Sequence, residues 1–443
     1  MRGYRRLERR VARALESLPW VRQSVKAIYH RANYVYFREQ GFRWALHPGA
    51  HLRSLEDWAG LPLDPEQGVF FGYYDKSPWS PDMQRAIVHR LRSDSRAAII
   101  VLDRSDHTCW VAGISSTWNY QQGSMAQWLP WTGGRSLIFN DCVDGDLVSR
   151  IVTPDGEDSL VPLPIQALHP VEKVALSLNY RRLARLRPEY GYTISARNFS
   201  PDQGLDRDGI WHVDLETGDS RLLLSIASLV DHDSRTEMAN SEHKINHLLY
   251  SPAGSRFVFL HRWLRPSGKF SRLYVAGADG ANLRLLLDER MVSHYSWADE
   301  THVLAWARVQ EAGDRYYLID VITGRAQVLG EGTLDVYGDG HASFSPNRHW
   351  IVTDSYPDRA RQQHLLLYHV ATGERIEVGR FFAPWRFDGA FRCDLHPRWS
   401  PDGGWICVDS AHTGMRMTYV VDVSAIVAGE AHPGRNSLAP PAG

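Results

Sequence analysis

The chain has 443 residues, 43% of them hydrophobic and 11% aromatic, which is enough to bury a large core. Fifty Lys and Arg face 51 Asp and Glu, for a formal charge of −1, so no polyanion-binding field covers the molecule and no nucleic-acid partner is expected. Cys109, Cys142, Cys393 and Cys407 are widely spaced and read as buried thiols, not a disulfide framework. No apolar run reaches the roughly 18 residues that a transmembrane helix needs.

Residues 1–45 stand apart. Residues 1–40 hold ten Lys/Arg and three acids, about +7, which leaves about −8 on the remainder. Leu7, Val11, Leu15 and Leu18 recur at near-helical spacing, Pro19 interrupts, and Val21, Val25 and Ile28 resume. This pattern predicts a basic amphipathic extension, as two short helices or one kinked helix. Such a segment suits an anionic membrane surface, apolar side down, or packs on the following domain with its basic face solvated. The start has no apolar signal-peptide region, so the expected location is cytoplasmic, with membrane association through the helix.

From about residue 70 the sequence repeats. "HLLYSPAGSRFVFLHRW" starts at His247, "HYSWADETHVLAWARV" at His294, "HASFSPNRHWIVTDSY" at His341 and "HPRWSPDGGWICVDSAH" at His396. Each unit is a short strand, a Ser-Pro-Asp-Gly-like turn and a second apolar strand. Proline presets φ in that turn, and Asp, Asn and Gly tolerate its geometry. Two further strands follow, as in "HLLLYHVATGERIEVG" (364–379).

The intervals of 47, 47 and 55 residues match the period of a four-stranded propeller blade. Earlier units open at 73–90, 125–141 and 168–180, and the third carries an insertion over about 181–208. The prediction is an all-β protein: a seven-bladed β-propeller over 70–424 with an N-terminal helical extension and a disordered tail, 425–443. Six or eight blades are the alternatives.

The first strand of each blade lines a propeller's channel, so the repeat places His247, His294, His341 and His396 at one height around its mouth. Imidazole is a common metal ligand near neutral pH, and four aligned histidines read as a metal-binding ring. The alternative is a polar ring hydrogen-bonded to water and backbone. Loops after the second strands supply His89, Arg90, Tyr180, Arg181, His261, Arg262, Tyr356, Arg359 and His412. Arginine forks bind carboxylates and sulfates, and aromatic rings offer platforms for sugars.

The segments "NHLLYSPAGSRFVFLHRW", "SHYSWAD", "GHASFSP" and "DLHPRWSPDG" resemble the oligogalacturonate-lyase type of propeller and, more loosely, the propeller ulvan lyases. The resemblance is close over about 240–424 and weak over 70–240. It implies cleavage of uronate-containing glycans by β-elimination, assisted by a divalent metal, manganese or zinc, on propeller histidines. His341 and His396 best match the family's metal positions, with His294 and His247 less closely placed. The family's Gln-x-x-His-x-His run reads Phe391, Asp394 and His396 here; Asp394 retains an oxygen donor and Phe391 does not.

β-Elimination needs the charge beside the acidic proton neutralised, a base, and an acid for the departing oxygen. Arg262, His261 and Tyr180 are the candidates for those parts. Arg181, Tyr356, Arg359 and His412 are candidates for binding the acidic oligo- or polysaccharide. Asp394 and Asp339 are further oxygen ligands or supports. Two functions stay open: a polysaccharide lyase, and a non-catalytic glycan- or protein-binding propeller in a polysaccharide assembly pathway.

Overall fold

The computed structural model describes residues 19–62, 68–266, 268–310 and 312–429. The Leu7–Leu18 part of the amphipathic pattern and the tail beyond 429 lie outside these residues. Central strands such as Ala97–Asp103 (AAIIVLD) and Trp350–Asp354 are wholly buried. Buried on both faces, they read as continuous apolar runs where a one-sided sheet would alternate. Each hairpin turn then reverses the chain after one such strand. In the Ser400–Gly403 turn, Gly403 takes φ +74° and the Ser400 hydroxyl donates to Asp402 Oδ1 at 2.5 Å.

The outcome is seven antiparallel sheets in chain order. Their innermost strands begin at Val69, Gln127, Ala167, Glu242, Val292, Ser343 and Arg398. This is a seven-bladed β-propeller. The fourth strand of blade seven comes from the start of the chain: His51–Ser54 pairs antiparallel with Met417–Asp422. Trp44–Leu46 adds a fifth strand to blade six, against Arg375–Phe382. The expected span of 70–424 therefore omits two strands. They are too short and too far from the repeats to show a repeat pattern of their own.

Pro19–Phe37 is one continuous helix. Tyr34 stacks on Phe382 at 6.0 Å and meets Trp385 edge-on at 5.7 Å, which seats the helix on blade six. Val25, Ile28, Val35 and Tyr36 face solvent. The cysteines divide: Cys393 and Cys407 are buried, whereas Cys109 is exposed and Cys142 half-buried, against the expectation of four buried thiols.

Neighbouring blades are clasped by buried polar side chains near the end of second strands. His89 Nε2 lies 3.1 Å from the Ser124 amide of blade two. Asn140 Oδ1 accepts from Ile165 N–H of blade three at 2.7 Å. Asp354 accepts from His396 N–H of blade seven at 3.1 Å. Asp409 accepts from Phe71 and Gly72 N–H of blade one at 3.1 and 3.2 Å. His89 is thereby a structural clasp and not a ligand-binding residue of an open loop.

Deleting residues 1–40 is expected to leave cooperative thermal unfolding intact. Deleting residues 1–60 removes both N-terminal strands and buried Leu55 and Trp58, and is expected to abolish the cooperative transition in calorimetry.

Candidate metal centre

Local backbone irregularity aims the histidines inward. The pairing of the innermost strand shifts register between Asn246 and Leu249 in blade four and between Val292 and Tyr295 in blade five. A bulge of this kind re-aims side chains, here at His247 and His294. His247 and His396 also take positive φ, +57° and +45°, a costly conformation for a residue with a Cβ.

All four histidines are buried and three are in ring contact. His294 lies 4.2 Å from His341, and His341 lies 4.3 Å from His396, centroid to centroid. Tyr73 and Tyr74, from the loop that opens blade one, fill the space between them; Tyr73 is 5.1 Å from His247 and 5.2 Å from His396. The Tyr74 hydroxyl crosses the channel, donating to Tyr295 O at 2.7 Å and accepting from Tyr295 N–H at 2.8 Å.

His341, Asp394 and His396 each offer one ligand atom within 4.8 Å of the others. Asp354 holds His341 Nδ1 at 2.9 Å, and Gly72 O holds His396 Nδ1 at 2.8 Å. The Nε2 atoms of both rings are buried and have no hydrogen-bond partner among the described residues. An imidazole fixed through Nδ1 with a bare Nε2 is the arrangement of a metal-ligating histidine. Two imidazole nitrogens and a carboxylate oxygen suit a divalent transition ion. The residues present therefore fit a metal at this point.

His294 and His247 are differently held. Asp339 engages His294 Nδ1 at 2.9 Å. His247 stacks on Tyr295 at 4.2 Å, and its Nε2 lies 3.2 Å from Asp75 Oδ2. Burial holds His294 down to about 4, against Asp339. Burial likewise lowers His247 and lowers His396 strongly, the latter with help from His341. For His341 burial also pulls down, but the Asp354 charge and hydrogen bond outweigh it and the ring is raised.

The other candidates scatter. Arg262 lies beside the ring and donates to Val292 O at 3.0 Å. Tyr356 stands 6.0 Å from His341 and 6.5 Å from His294, partly exposed at the mouth. His261 is not at the channel. It lies on the opposite face of its strand from Arg262, with its Nε2 3.0 Å from His243 Nδ1. Tyr180 is fully buried under the insertion, its hydroxyl 2.8 Å from Gln166 Oε1 and 2.9 Å from Ile165 O. Arg181 pins that insertion by donating to Thr193 O at 2.7 Å. Arg359 lies over the Phe37 ring at 5.8 Å, turned toward the N-terminal helix. His412 packs against Tyr419 at 4.7 Å and Phe381 at 5.4 Å, and burial pushes it down to about 3. Loop position after a second strand thus did not determine which side chains face the channel.

Four residues at the centre escaped the sequence reading: Tyr73, Tyr74, Asp75 and Asp354. The first three form one run, "YYD", just before the first Ser-Pro turn, and that run is the signal that marks them. Arg392 and Tyr190 complete a roof. Arg392 donates to Tyr190 Oη at 2.9 Å and to Asp394 Oδ2 at 2.6 Å, and Tyr190 meets Tyr73 edge-on at 5.8 Å.

No family model and no curated relative matches the chain. Solved structures do. An oligogalacturonate lyase in complex with manganese superposes with a TM-score of 0.62 at 15% identity, covering 87% of this chain and 95% of that one. This is the propeller fold of the oligogalacturonate lyases. The lyase from Vibrio parahaemolyticus superposes at 0.58 and 12% identity, covering 82% and 92%. At such identities the likeness establishes the fold and extends over nearly the whole of both neighbours.

Two outcomes are expected. His341→Ala should remove bound manganese or zinc in elemental analysis with a small loss of stability. Asp354→Ala should remove it too and also cost on the order of 3 kcal/mol, because it breaks a buried clasp. Acid should destabilise the fold. Among the described residues eight histidines are held below their ordinary value, including His89 at about 4 and His412 at about 3, and two, His341 and His364, above it. Below about pH 6.5 the unfolded chain binds protons that the folded chain refuses, so stability falls with pH. The melting temperature should drop steadily between pH 6.5 and about 4, the His89 value. A flat profile would contradict the placement of these rings.

Proposed function

We propose that the protein is a polysaccharide lyase acting on uronate-containing oligosaccharides by β-elimination. The observation that carries this reading is the pair of buried, partnerless Nε2 atoms of His341 and His396 beside the Asp394 carboxylate. The manganese complex of a protein with the same fold supports it. His341, Asp394 and His396 would hold the ion, which when bound supplies positive charge to the substrate carboxylate and so acidifies the neighbouring C–H.

The remaining work falls to this chain's side chains. Burial keeps His294 neutral, and Asp339 fixes its Nδ1, so Nε2 presents a lone pair. His294 Nε2 is the base that takes the proton from the carbon next to the carboxylate. The electron pair forms the new carbon–carbon double bond and the glycosidic C–O bond breaks. Tyr356, a phenol at the channel mouth whose ring lies 6.5 Å from His294, gives a proton to the departing oxygen.

The second reading, a non-catalytic glycan-binding propeller, is favoured by a different observation. The ring histidines are at most 5% exposed beneath Tyr190 and Arg392. One experiment separates the two. With manganese present, acidic oligosaccharides should yield the ultraviolet absorbance of an unsaturated uronate, and His294→Gln should lower that rate by about a hundredfold or more while metal content is retained. Binding without any absorbance change across galacturonate, guluronate, mannuronate and glucuronate oligomers would establish the second reading instead.

A further inference from the structure

We propose that blade four carries a second oxyanion site, formed by Lys244 and Arg262 together with Arg187, which takes the carboxylate or sulfate group of a sugar residue adjoining the one at the histidine ring. The identity of the ligand rests on the reading above; the anion site itself rests on geometry alone.

Lys244 and Arg262 are direct cross-strand partners, so their side chains stand together on one face of the blade. Lys269 lies on that same face, because Arg262 pairs with Ser271 two residues farther along the strand. Like charges placed opposite one another destabilise a sheet unless a counter-charge is supplied. None is built in: neither side chain makes an ion pair among the described residues. Lys244 is buried, and its ammonium donates only to Leu186 O at 3.2 Å. Arg262 donates from Nη2 to Val292 O and Ser293 O, while its buried Nε has no partner.

Arg187 and Lys269 also press on Lys244, and Glu189 opposes them. Burial first, and these cations second, bring the Lys244 ammonium down to about 7. Tyr73, Tyr190 and Tyr295 around Arg262 are neutral hydroxyls, and Asp75 is already committed to Lys76 at 2.8 Å and to His247.

The cluster lies close to the ring. Arg187 covers Tyr190 at 4.3 Å, Tyr190 meets Tyr73 at 5.8 Å, and Tyr73 touches His247 and His396. Arg187 thus links the cluster to the ring through Tyr190 and Tyr73, so the acid group this cluster would take is that of the sugar residue next to the one at the histidines. Charge-assisted hydrogen bonds from an ammonium and a guanidinium are the ordinary means of holding such a group.

The test compares binding of galacturonate, digalacturonate, a sulfated disaccharide and inorganic sulfate in the presence of manganese, by calorimetry and thermal shift. Wild-type protein should bind digalacturonate about tenfold or more tightly than galacturonate. Lys244→Met should collapse that ratio and leave galacturonate affinity and metal content unchanged. Arg187→Gln, at a rim position that no ion pair holds, should lower the ratio in the same direction. Tighter binding of the sulfated disaccharide would assign the site to a sulfate ester, and tighter binding of digalacturonate to a carboxylate. Millimolar sulfate should raise the melting temperature of wild-type protein beyond that of Lys244→Met. If no uronate binds but this sulfate difference persists, the anion site stands and the lyase reading falls. An unchanged ratio in both variants, with no sulfate difference, overturns the site.

Discussion

The molecule depends on the clasp that each blade offers to its neighbour. A propeller has no hydrogen-bonded ladder between sheets, so the backbone N–H groups that enter a new blade need acceptors from elsewhere. His89, Asn140, Asp354 and Asp409 supply them at four of the junctions. Being fully buried, each would be costly if left unpaired, which makes the angle between blades specific as well as stable. Asp354 also fixes the His341 ring, so one carboxylate joins blade six to blade seven and sets a candidate metal ligand.

The centre is consequently not an open pore, and the side chains that fill it are polar. Tyr73 and Tyr74 cross from blade one, and Tyr74 bonds the backbone of blade five on the far side. They take up the volume that the ring of histidines encloses and exclude water from it. Exclusion is what depresses most of those imidazoles, keeping them neutral and available as ligands or bases near pH 7. The exception, His341, has on its Nδ1 a carboxylate that is itself buried, Asp354, whereas Asp339 on His294 is partly exposed. The insertion in blade three, through Tyr190, and the loop before blade seven, through Arg392, then close over the same point.

Charge is distributed by the same geometry. The acids of the channel are all engaged: Asp75 by Lys76, Asp354 by His341, Asp394 by Arg392, Asp409 by Arg398. The cations beside them on blade four are not. A near-neutral chain thus keeps two cross-strand cations on blade four that form no ion pair among the described residues, which whole-molecule composition conceals.

Period determined the fold. The recurring histidine, Ser-Pro turn and apolar second strand each reflect one local requirement, and four copies sufficed to fix strand order, blade size and the shared height of His247, His294, His341 and His396. Contacts between segments distant in sequence are another matter. His51–Ser54 carries no repeat signal, yet it closes blade seven, because an outer edge accepts any strand of suitable length. His261 and Arg262 are neighbours in the chain and point to opposite faces, since strand side chains alternate and the blade's register decides which face meets the channel. Tyr180 and Arg181 open a short helix, Tyr180–Leu186, and His412 lies in a turn; packing buries Tyr180 and His412, and Arg181 binds the backbone of the insertion. Sequence determined which residues repeat; only the closed ring of sheets decided which of them meet, because a channel brings together side chains that local pattern treats as unrelated.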